Sequence, residues 1–226
     1  MTAPLRRRIY LMRHAQVRYF QGVHPHEVTL TDAGREQAGA AAAALAGIRF
    51  DRVVTSGLPR TIETARAVAP DADIEANDAL REIESGELRG LAPVAVQELM
   101  TAAFRGVVPP STRFLGGETV DELFDRVLPE LDALLADPAW DVVLLVLHGA
   151  VNRAILGRAL TGGRVFLGAF EQSPGCINVL DVDESGAFVV RAVNHTPYDP
   201  SHARAARETT MEQLWQEYLD SRGGRP

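Results

Sequence analysis

Two apolar runs that each end on a histidine constrain the fold of this chain more than any other feature. The first covers residues 9–12 and stops at Arg13 and His14, and the second covers residues 142–147 and stops at His148. Their apolar and β-branched residues predict buried strands, and the second run, apolar throughout, predicts a central parallel strand. Ligands bind beyond the carboxyl ends of the strands in open α/β sheets. If the two strands are neighbours, we expect both imidazoles to face one pocket.

The rest of the chain alternates between helical and extended patterns, which predicts one α/β domain. Further strands are expected at residues 52–55 and 73–76, and a closing hairpin at 176–182 and 188–193. Capping residues, prolines and glycines mark the ends of the predicted helices. Ser56 is expected to cap the second predicted helix, and Thr119 and Glu122 form a capping box that opens the fourth. The expected helices cover residues 34–46, 59–69, 93–104, 120–136, 150–160 and 201–219.

Composition and charge exclude several classes of partner. A formal net charge of −7 disfavours non-specific nucleic-acid binding, which requires a basic surface. No apolar run reaches the length of a membrane-spanning helix, and Arg13 interrupts the N-terminal run too early for a signal peptide. The single cysteine, Cys176, permits no internal disulfide, which fits a reducing compartment. We therefore expect a cytoplasmic protein with a small anionic ligand, no nucleic-acid partner and no membrane partner.

The apolar face of the last predicted helix has two interpretations. Met211, Leu214, Trp215, Tyr218 and Leu219 share that face at helical spacing. Packing on the core of the same chain is the favoured interpretation, and a homodimer contact is the alternative.

The polar residues near the strand ends predict phosphoryl transfer. A neutral imidazole is a good nucleophile towards phosphorus, and Arg13 beside His14 disfavours the cationic form of the ring. Arginines match phosphoryl oxygens with paired hydrogen bonds, and Arg60 lies in the first turn of a helix directly after a strand. A departing alkoxide needs a proton, which a carboxyl group can supply. The polar loop at residues 82–87 contains three glutamates, and we expect one of them to complete the site.

Six blocks of residues, in order, then carry a family resemblance. They lie at residues 11–15, 30–38, 55–65, 80–90, 116–126 and 146–149. With them the chain resembles the histidine phosphatase superfamily, which includes the cofactor-dependent phosphoglycerate mutases. The expected fold is a single α/β domain over residues 1–226 in three layers, with helices on both faces of a central, mostly parallel sheet that contains one antiparallel strand.

The resemblance implies a role for each candidate site residue. His14 is the phosphorylated nucleophile and Glu82 the proton donor. Arg13, Arg60 and His148 form the phosphate pocket, and His148 also counts among the catalytic residues. The family works without a metal or a dissociable organic cofactor, so we expect neither here. The other two glutamates of the loop, Glu84 and Glu87, are expected to remain surface residues.

Three departures from the family pattern qualify this expectation. Ala15 replaces the usual glycine, Val17 replaces a small polar residue, and Phe20 stands where many members have an asparagine that contacts the phosphate. The segment 90–116 is shorter than in the mutases, which favours hydrolysis. We expect Tyr19 and Phe20, at the mouth of the site, to accept an apolar or ring-bearing leaving group.

The predicted function is therefore that of a metal-independent phosphatase that hydrolyses a small phosphomonoester through a phosphohistidine. A phosphoglycerate-type phosphomutase is one alternative, and a non-catalytic phosphate-binding regulatory protein is another. The physiological substrate and the effect of Val17 and Phe20 are left open by the sequence.

Overall fold

The computed structural model describes residues 6–88, 91–203 and 207–223. Its strands are β1 (Arg7–Arg13), β2 (Arg52–Thr55), β3 (Ile74–Ala76), β4 (Val107–Val108), β5 (Val142–Leu147), β6 (Phe166–Leu167), β7 (Ile177–Val182) and β8 (Phe188–His195). Its helices are α1 (Asp32–Ala44), α2 (Pro59–Val68), α3 (Pro93–Ala102), α4 (Val120–Ala136), α5 (Gly149–Thr161) and α6 (Thr210–Ser221). Strands β4 and β6 form a small antiparallel pair apart from the main sheet.

The main sheet has six strands in the order β3-β2-β5-β1-β7-β8. Strands β3, β2, β5 and β1 run parallel to one another, whereas β7 is antiparallel to both of its neighbours, β1 and β8. The sheet is therefore mostly parallel with one antiparallel strand, which confirms the predicted fold class. Because β1 and β5 are hydrogen-bonded neighbours with Arg13 opposite Leu147, their carboxyl ends meet at one edge.

Alternating side chains of the central strands pack against helices on both faces of the sheet. Leu11 and Leu145 belong to the cluster that contains the apolar faces of α4 and α5. Their chain neighbours Met12 and Leu144 belong to the cluster on the other face, which contains residues of α1 and α2. This two-sided burial explains why both strands are apolar without alternation and why they lie at the centre of the sheet.

Two local predictions were wrong at helix starts. Helix α2 begins with Leu58 as its cap and Pro59 in its first turn, and Ser56 forms no cap because its hydroxyl bonds to another residue described below. The last helix begins at Thr210 instead of residue 201, because Thr209 and Glu212 form a capping box there. Residues 204–206 of the predicted helix lie outside the described residues, as do residues 89–90 of the fourth family block.

Helices α3 and α6 pack together into a third apolar cluster, which we call the cap. Met100 of α3 and Trp215 and Tyr218 of α6 are buried in it, and Phe20 packs against them. The apolar face of α6 thus packs within its own chain, as the favoured interpretation predicted. Among the described helices, none combines the length and apolar character that crossing a membrane requires.

Candidate active site

His14 lies directly after β1, and its side chain is 1% exposed. Its Nδ1 atom lies 2.8 Å from the carbonyl oxygen of Ala15, which can only accept, so Nδ1 carries the proton in the neutral ring. The Nε2 atom therefore has a free lone pair, and no described residue forms a hydrogen bond with it. Burial, followed by the Arg60 and Arg13 guanidinium groups, holds the pKa of His14 well below 6.5. The ring is therefore neutral and has an available lone pair on Nε2, which is the form that a histidine nucleophile requires.

His148 caps α5 directly after β5 and is completely buried. Its ring centroid lies 5.2 Å from that of His14, at an interplanar angle of 64°. Its Nε2 atom lies 2.7 Å from the Ser56 hydroxyl oxygen, which is itself 3.2 Å from the hydroxyl oxygen of Thr61. Thr61 donates to the Leu58 carbonyl, so Ser56 donates to Thr61 and His148 Nε2–H donates to Ser56. Burial, then the charges of Arg60 and His14, lowers the pKa of His148 well below 6.5.

The Arg13 guanidinium is held beside the site by a buried polar network. Its Nη1 atom donates to the carbonyl oxygen of Gln172 at 2.5 Å. The Asn178 side-chain amide donates both to the Gln172 side-chain oxygen and to the Leu11 carbonyl of β1, each at 2.8 Å. The network orients the guanidinium before any ligand binds, which reduces the entropy that binding has to offset.

Arg60, in the first turn of α2, is 3% exposed. Its Nη1 atom donates to the Pro25 carbonyl oxygen at 2.9 Å, and its guanidinium carbon lies 5.9 Å from the centroid of the Tyr19 ring. The loop before α1 therefore contributes a carbonyl and an aromatic ring that fix this cation in place.

Three buried nitrogen atoms have no hydrogen-bond partner within the described ranges: Nε of Arg13, Nε of Arg60 and Nδ1 of His148. All three belong to residues that the sequence predicted for the phosphate pocket. A buried polar atom without a partner costs about 1–3 kcal/mol, and such atoms in native structures call for an explanation. A tetrahedral anion with several acceptor oxygens would satisfy the two arginines.

Glu82 reaches the N-terminus of α5 from the loop after β3. Its Oε2 atom accepts from Gly149 N at 2.9 Å, and its Oε1 atom accepts from Ala150 N at 3.1 Å and from its own neighbour Ile83 N at 3.0 Å. A Cβ built on Gly149 would lie 3.6 Å from Glu82 Oε2 and 3.7 Å from Arg13 Nε, so these two groups meet at this glycine. Of the three glutamates in the loop, the structure brings Glu82 to the histidines.

The other two glutamates of the loop, Glu84 and Glu87, are exposed, as expected for surface residues. The two loop histidines, His24 and His26, have rings 4.9 Å apart. Within the described part of the chain, no group of three or more His, Cys, Asp or Glu side chains is placed to hold a metal ion.

Arg126 of α4 secures the loop that carries Glu82. Its Nη1 atom donates to the carbonyls of Ala79 and Arg81, each at 2.7 Å, and its Nη2 atom donates to the Glu82 carbonyl at 3.1 Å. The same guanidinium forms paired hydrogen bonds of 2.7 and 2.9 Å with the Glu118 carboxylate. The sequence marked Arg126 as part of a family block, but no local pattern indicated that its partners are loop carbonyls.

The three departures from the family pattern have different structural consequences. Ala15 has a negative φ, so its methyl group causes no backbone strain, and its N–H donates to the Thr64 hydroxyl at 3.0 Å. Val17 is buried in an apolar cluster with Val28 and Leu30. Phe20 has a φ of 59°, a left-handed conformation that asparagine adopts much more readily than a bulky aromatic residue.

Packing against the cap accounts for the unusual Phe20 conformation. Its ring lies 5.4 Å from that of Tyr218, edge to face, and joins the apolar cluster of α3 and α6. The neighbouring Tyr19 N–H donates to the Glu217 Oε2 atom at 3.1 Å. Helix α6 therefore holds the loop after His14 at two consecutive residues, and no sequence pattern had singled out Glu217.

Taken together, these side chains can transfer a phosphoryl group. A neutral imidazole with a free lone pair, two guanidinium groups whose Nε atoms are buried and unpartnered, and a carboxyl group at a helix N-terminus lie at one edge of the sheet. Positioning and charge stabilisation supply most of the catalysis of phosphoryl transfer, and both are present before a substrate binds.

Known proteins share this arrangement of elements and blocks. A family model described as the histidine phosphatase superfamily (branch 1) matches residues 9–196. Phosphoglycerate mutase-like protein 4 of Arabidopsis thaliana is 27% identical over 176 residues, which are 75% of this chain and 76% of that protein. A glucosyl-3-phosphoglycerate phosphatase of Mycolicibacterium vanbaalenii is 31% identical over 169 residues, which are 67% of this chain and 75% of that protein.

The structure of a mycobacterial glucosyl-3-phosphoglycerate phosphatase superimposes with a TM-score of 0.69, covering 84% of this chain and 99% of that one. At 24% sequence identity, this similarity is one of fold. The family and the phosphatase relative support an enzyme of the histidine phosphatase type, a phosphoric monoester hydrolase. Matched by the family model over most of its length, the chain belongs to branch 1 of the histidine phosphatase superfamily.

Proposed function

We propose that this protein is a metal-independent phosphatase that hydrolyses a small phosphomonoester through a phosphohistidine on His14. The observation that carries the proposal is the pair of buried, unpartnered Nε atoms on Arg13 and Arg60, whose charges act on the His14 ring with its free Nε2 lone pair. The phosphoryl oxygens of a substrate would accept from the two guanidinium groups, and the phosphorus atom would then lie before Nε2.

In the first step, His14 Nε2 attacks phosphorus, a nitrogen–phosphorus bond forms, and the bond to the leaving oxygen breaks. Glu82 transfers its proton to that oxygen, and the product alcohol departs. The N–H groups of Gly149 and Ala150 stabilise the carboxylate that results, because they already contact both of its oxygens at the start of α5.

In the second step, water attacks the phosphohistidine. Glu82 accepts a proton from that water, the nitrogen–phosphorus bond breaks, and phosphate and the neutral His14 ring are released. Arg13 and Arg60 hold the same phosphoryl oxygens in both steps, so the charge that develops in each transition state meets fixed donors.

The proposal is tested by measuring turnover of 4-nitrophenyl phosphate and of glycerol phosphate in the presence of a chelator. We expect turnover without added metal, an acid-labile and alkali-stable phosphoenzyme, and loss of both in His14→Ala. His195→Ala, which removes an exposed histidine, should behave as the parent protein. Full activity in His14→Ala, or primer-dependent isomerisation of a phosphoglycerate in place of phosphate release, would overturn the proposal.

A further inference from the structure

Helix α6 lies outside the residues that the family model matches, yet it contacts the loop that follows the nucleophile. The matched residues end at 196, and α6 begins at Thr210. Its Tyr218 packs against Phe20, and its Glu217 accepts a hydrogen bond from the backbone of Tyr19. Whatever α6 contributes to the site therefore lies outside the region that the family model matches.

Tyr19 lies between the phosphate-binding cations and Glu217. Its ring is near the Arg60 guanidinium, and its backbone N–H bonds to Glu217. Burial raises the pKa of Tyr19, the charges of Arg60 and Arg13 oppose that rise, and those of Glu82 and Glu217 reinforce it. The phenol is thus within electrostatic reach of both the pocket and the α6 carboxylate.

Glu217 is half-buried, and only one of its oxygens is engaged. Its Oε2 atom accepts from Tyr19 N at 3.1 Å, whereas no residue in the described ranges forms a hydrogen bond with Oε1 or an ion pair with the group. Burial raises the pKa of Glu217, and the nearby Arg18 and Arg13 guanidinium groups oppose this. The carboxyl group therefore has an unused acceptor next to Tyr19, the residue whose ring approaches the Arg60 guanidinium.

A carboxylate at the edge of an anion pocket discriminates between leaving groups. It repels a second negative charge on the substrate, and it accepts hydrogen bonds from hydroxyl or ammonium groups. We infer that Glu217 is a specificity-determining residue that favours a leaving group with a hydroxyl or ammonium donor and rejects one with a carboxylate. The inference rests on the proposed function, because it assigns the substrate class of the same site.

The test uses phosphonates, because their carbon–phosphorus bond survives phosphoryl transfer and binding is then measured apart from catalysis. Ethylphosphonate with a hydroxyl, an amino or a carboxyl group at its second carbon provides three ligands that differ only in that group, and unsubstituted ethylphosphonate is the reference. Calorimetric titration gives Kd for each ligand. We expect the hydroxyl and ammonium ligands to bind at least about fivefold more tightly than the carboxylate ligand, as expected for one partly screened charge.

Glu217→Gln should raise the hydroxyl-to-carboxylate and ammonium-to-carboxylate Kd ratios to about one or above. Glutamine keeps an acceptor for Tyr19 but loses the charge, and the nearby arginines then favour the carboxylate ligand. Glu98→Gln removes an exposed carboxylate from α3, the helix packed on α6, and should keep the parent ratios. Equal binding of all ligands by the parent protein, or unchanged ratios in Glu217→Gln, would overturn the inference while phosphatase turnover persists. Failure of every phosphonate to bind, together with no turnover, would overturn the proposed function and the inference with it.

Discussion

The imidazole rings of His14 and His148 lie 5.2 Å apart at the ends of two adjacent parallel strands, and both are buried in their neutral form. One ring is oriented by the Ala15 carbonyl and the other by the Ser56 hydroxyl. Two histidines of such low pKa, next to two guanidinium groups, would allow the proposed site to bind an anion while the His14 ring stays unprotonated at Nε2.

The stability of the fold should depend on pH through these two histidines. Their folded pKa values lie below the unfolded value of 6.5, so as the pH falls below 6.5 the unfolded chain binds protons that the folded chain does not. The free energy of unfolding should then fall by about 1.4 kcal/mol per pH unit for each histidine, down to its folded pKa. Urea unfolding between about pH 7 and pH 5 measures this slope.

His148→Gln should remove about half of the contribution that this pair makes to the slope. His195→Gln, which replaces an exposed histidine, provides the matched control and should leave the slope unchanged. A slope that is the same in all three proteins would contradict the assignment of the pH dependence to the buried pair.

Glu82→Gln should separate substrates by the basicity of their leaving group. Glutamine keeps one acceptor oxygen for the N–H groups at the start of α5, presents an amide NH₂ in place of the second oxygen, and has no acidic proton. We expect kcat/KM for glycerol phosphate to fall about 10²- to 10⁴-fold, and that for 4-nitrophenyl phosphate to fall far less, because nitrophenolate departs without a proton. Glu84→Gln changes an exposed neighbour and serves as the control. An equal loss on both substrates would argue against Glu82 as the proton donor.

Ser56→Ala should weaken phosphate binding. It leaves the buried Nε2–H of His148 without its acceptor, at a cost of about 1–3 kcal/mol in the free energy of unfolding. We expect the Kd for inorganic phosphate to rise severalfold as the ring loses its fixed orientation. Ser185→Ala, in the exposed β7–β8 turn, should change neither quantity. Unaltered phosphate affinity in Ser56→Ala would show that the hydroxyl does not orient His148.

Arg126→Lys should lower kcat more than it weakens phosphate binding. An ammonium group cannot reproduce the planar fork that reaches three carbonyls and the Glu118 carboxylate, so the loop with Glu82 loses its support. We expect kcat for glycerol phosphate to fall about tenfold and the free energy of unfolding by about 1–3 kcal/mol. The Kd for inorganic phosphate should change little, because Arg13 and Arg60, which we propose to bind phosphate, are on other elements.

The matched control for Arg126→Lys is Arg158→Lys on α5. The Nη1 atom of Arg158 donates to the Gly162 carbonyl oxygen at an exposed site. If Arg126 has a purely structural role, Arg126→Lys should lower the free energy of unfolding. It should then reduce kcat for glycerol phosphate no more than kcat for 4-nitrophenyl phosphate. That outcome would remove Arg126 from the set of positioning residues.

Elements with strong local signals could be predicted closely from the sequence. The strand Val142–Leu147 and the helix Val120–Ala136 have the predicted bounds, since an uninterrupted apolar run and a capping box each depend on adjacent residues alone. The histidines that end the two central strands were identified for the same reason. The start of α6 was predicted too early, although its capping box at Thr209 carried the same kind of signal.

Only the tertiary structure decided which side chains meet. Ser56 is a fitting helix cap by its local position, but β2 and β5 are neighbours, and this brings its hydroxyl to His148 instead. The contacts of Phe20 and Tyr19 with α6 likewise join residues about 200 positions apart in the chain. Local sequence determines what a segment can form and which chemical groups it carries. Contacts between distant residues depend on how the layers pack, and that arrangement places Arg126 behind the loop of Glu82 and Glu217 against the backbone of Tyr19.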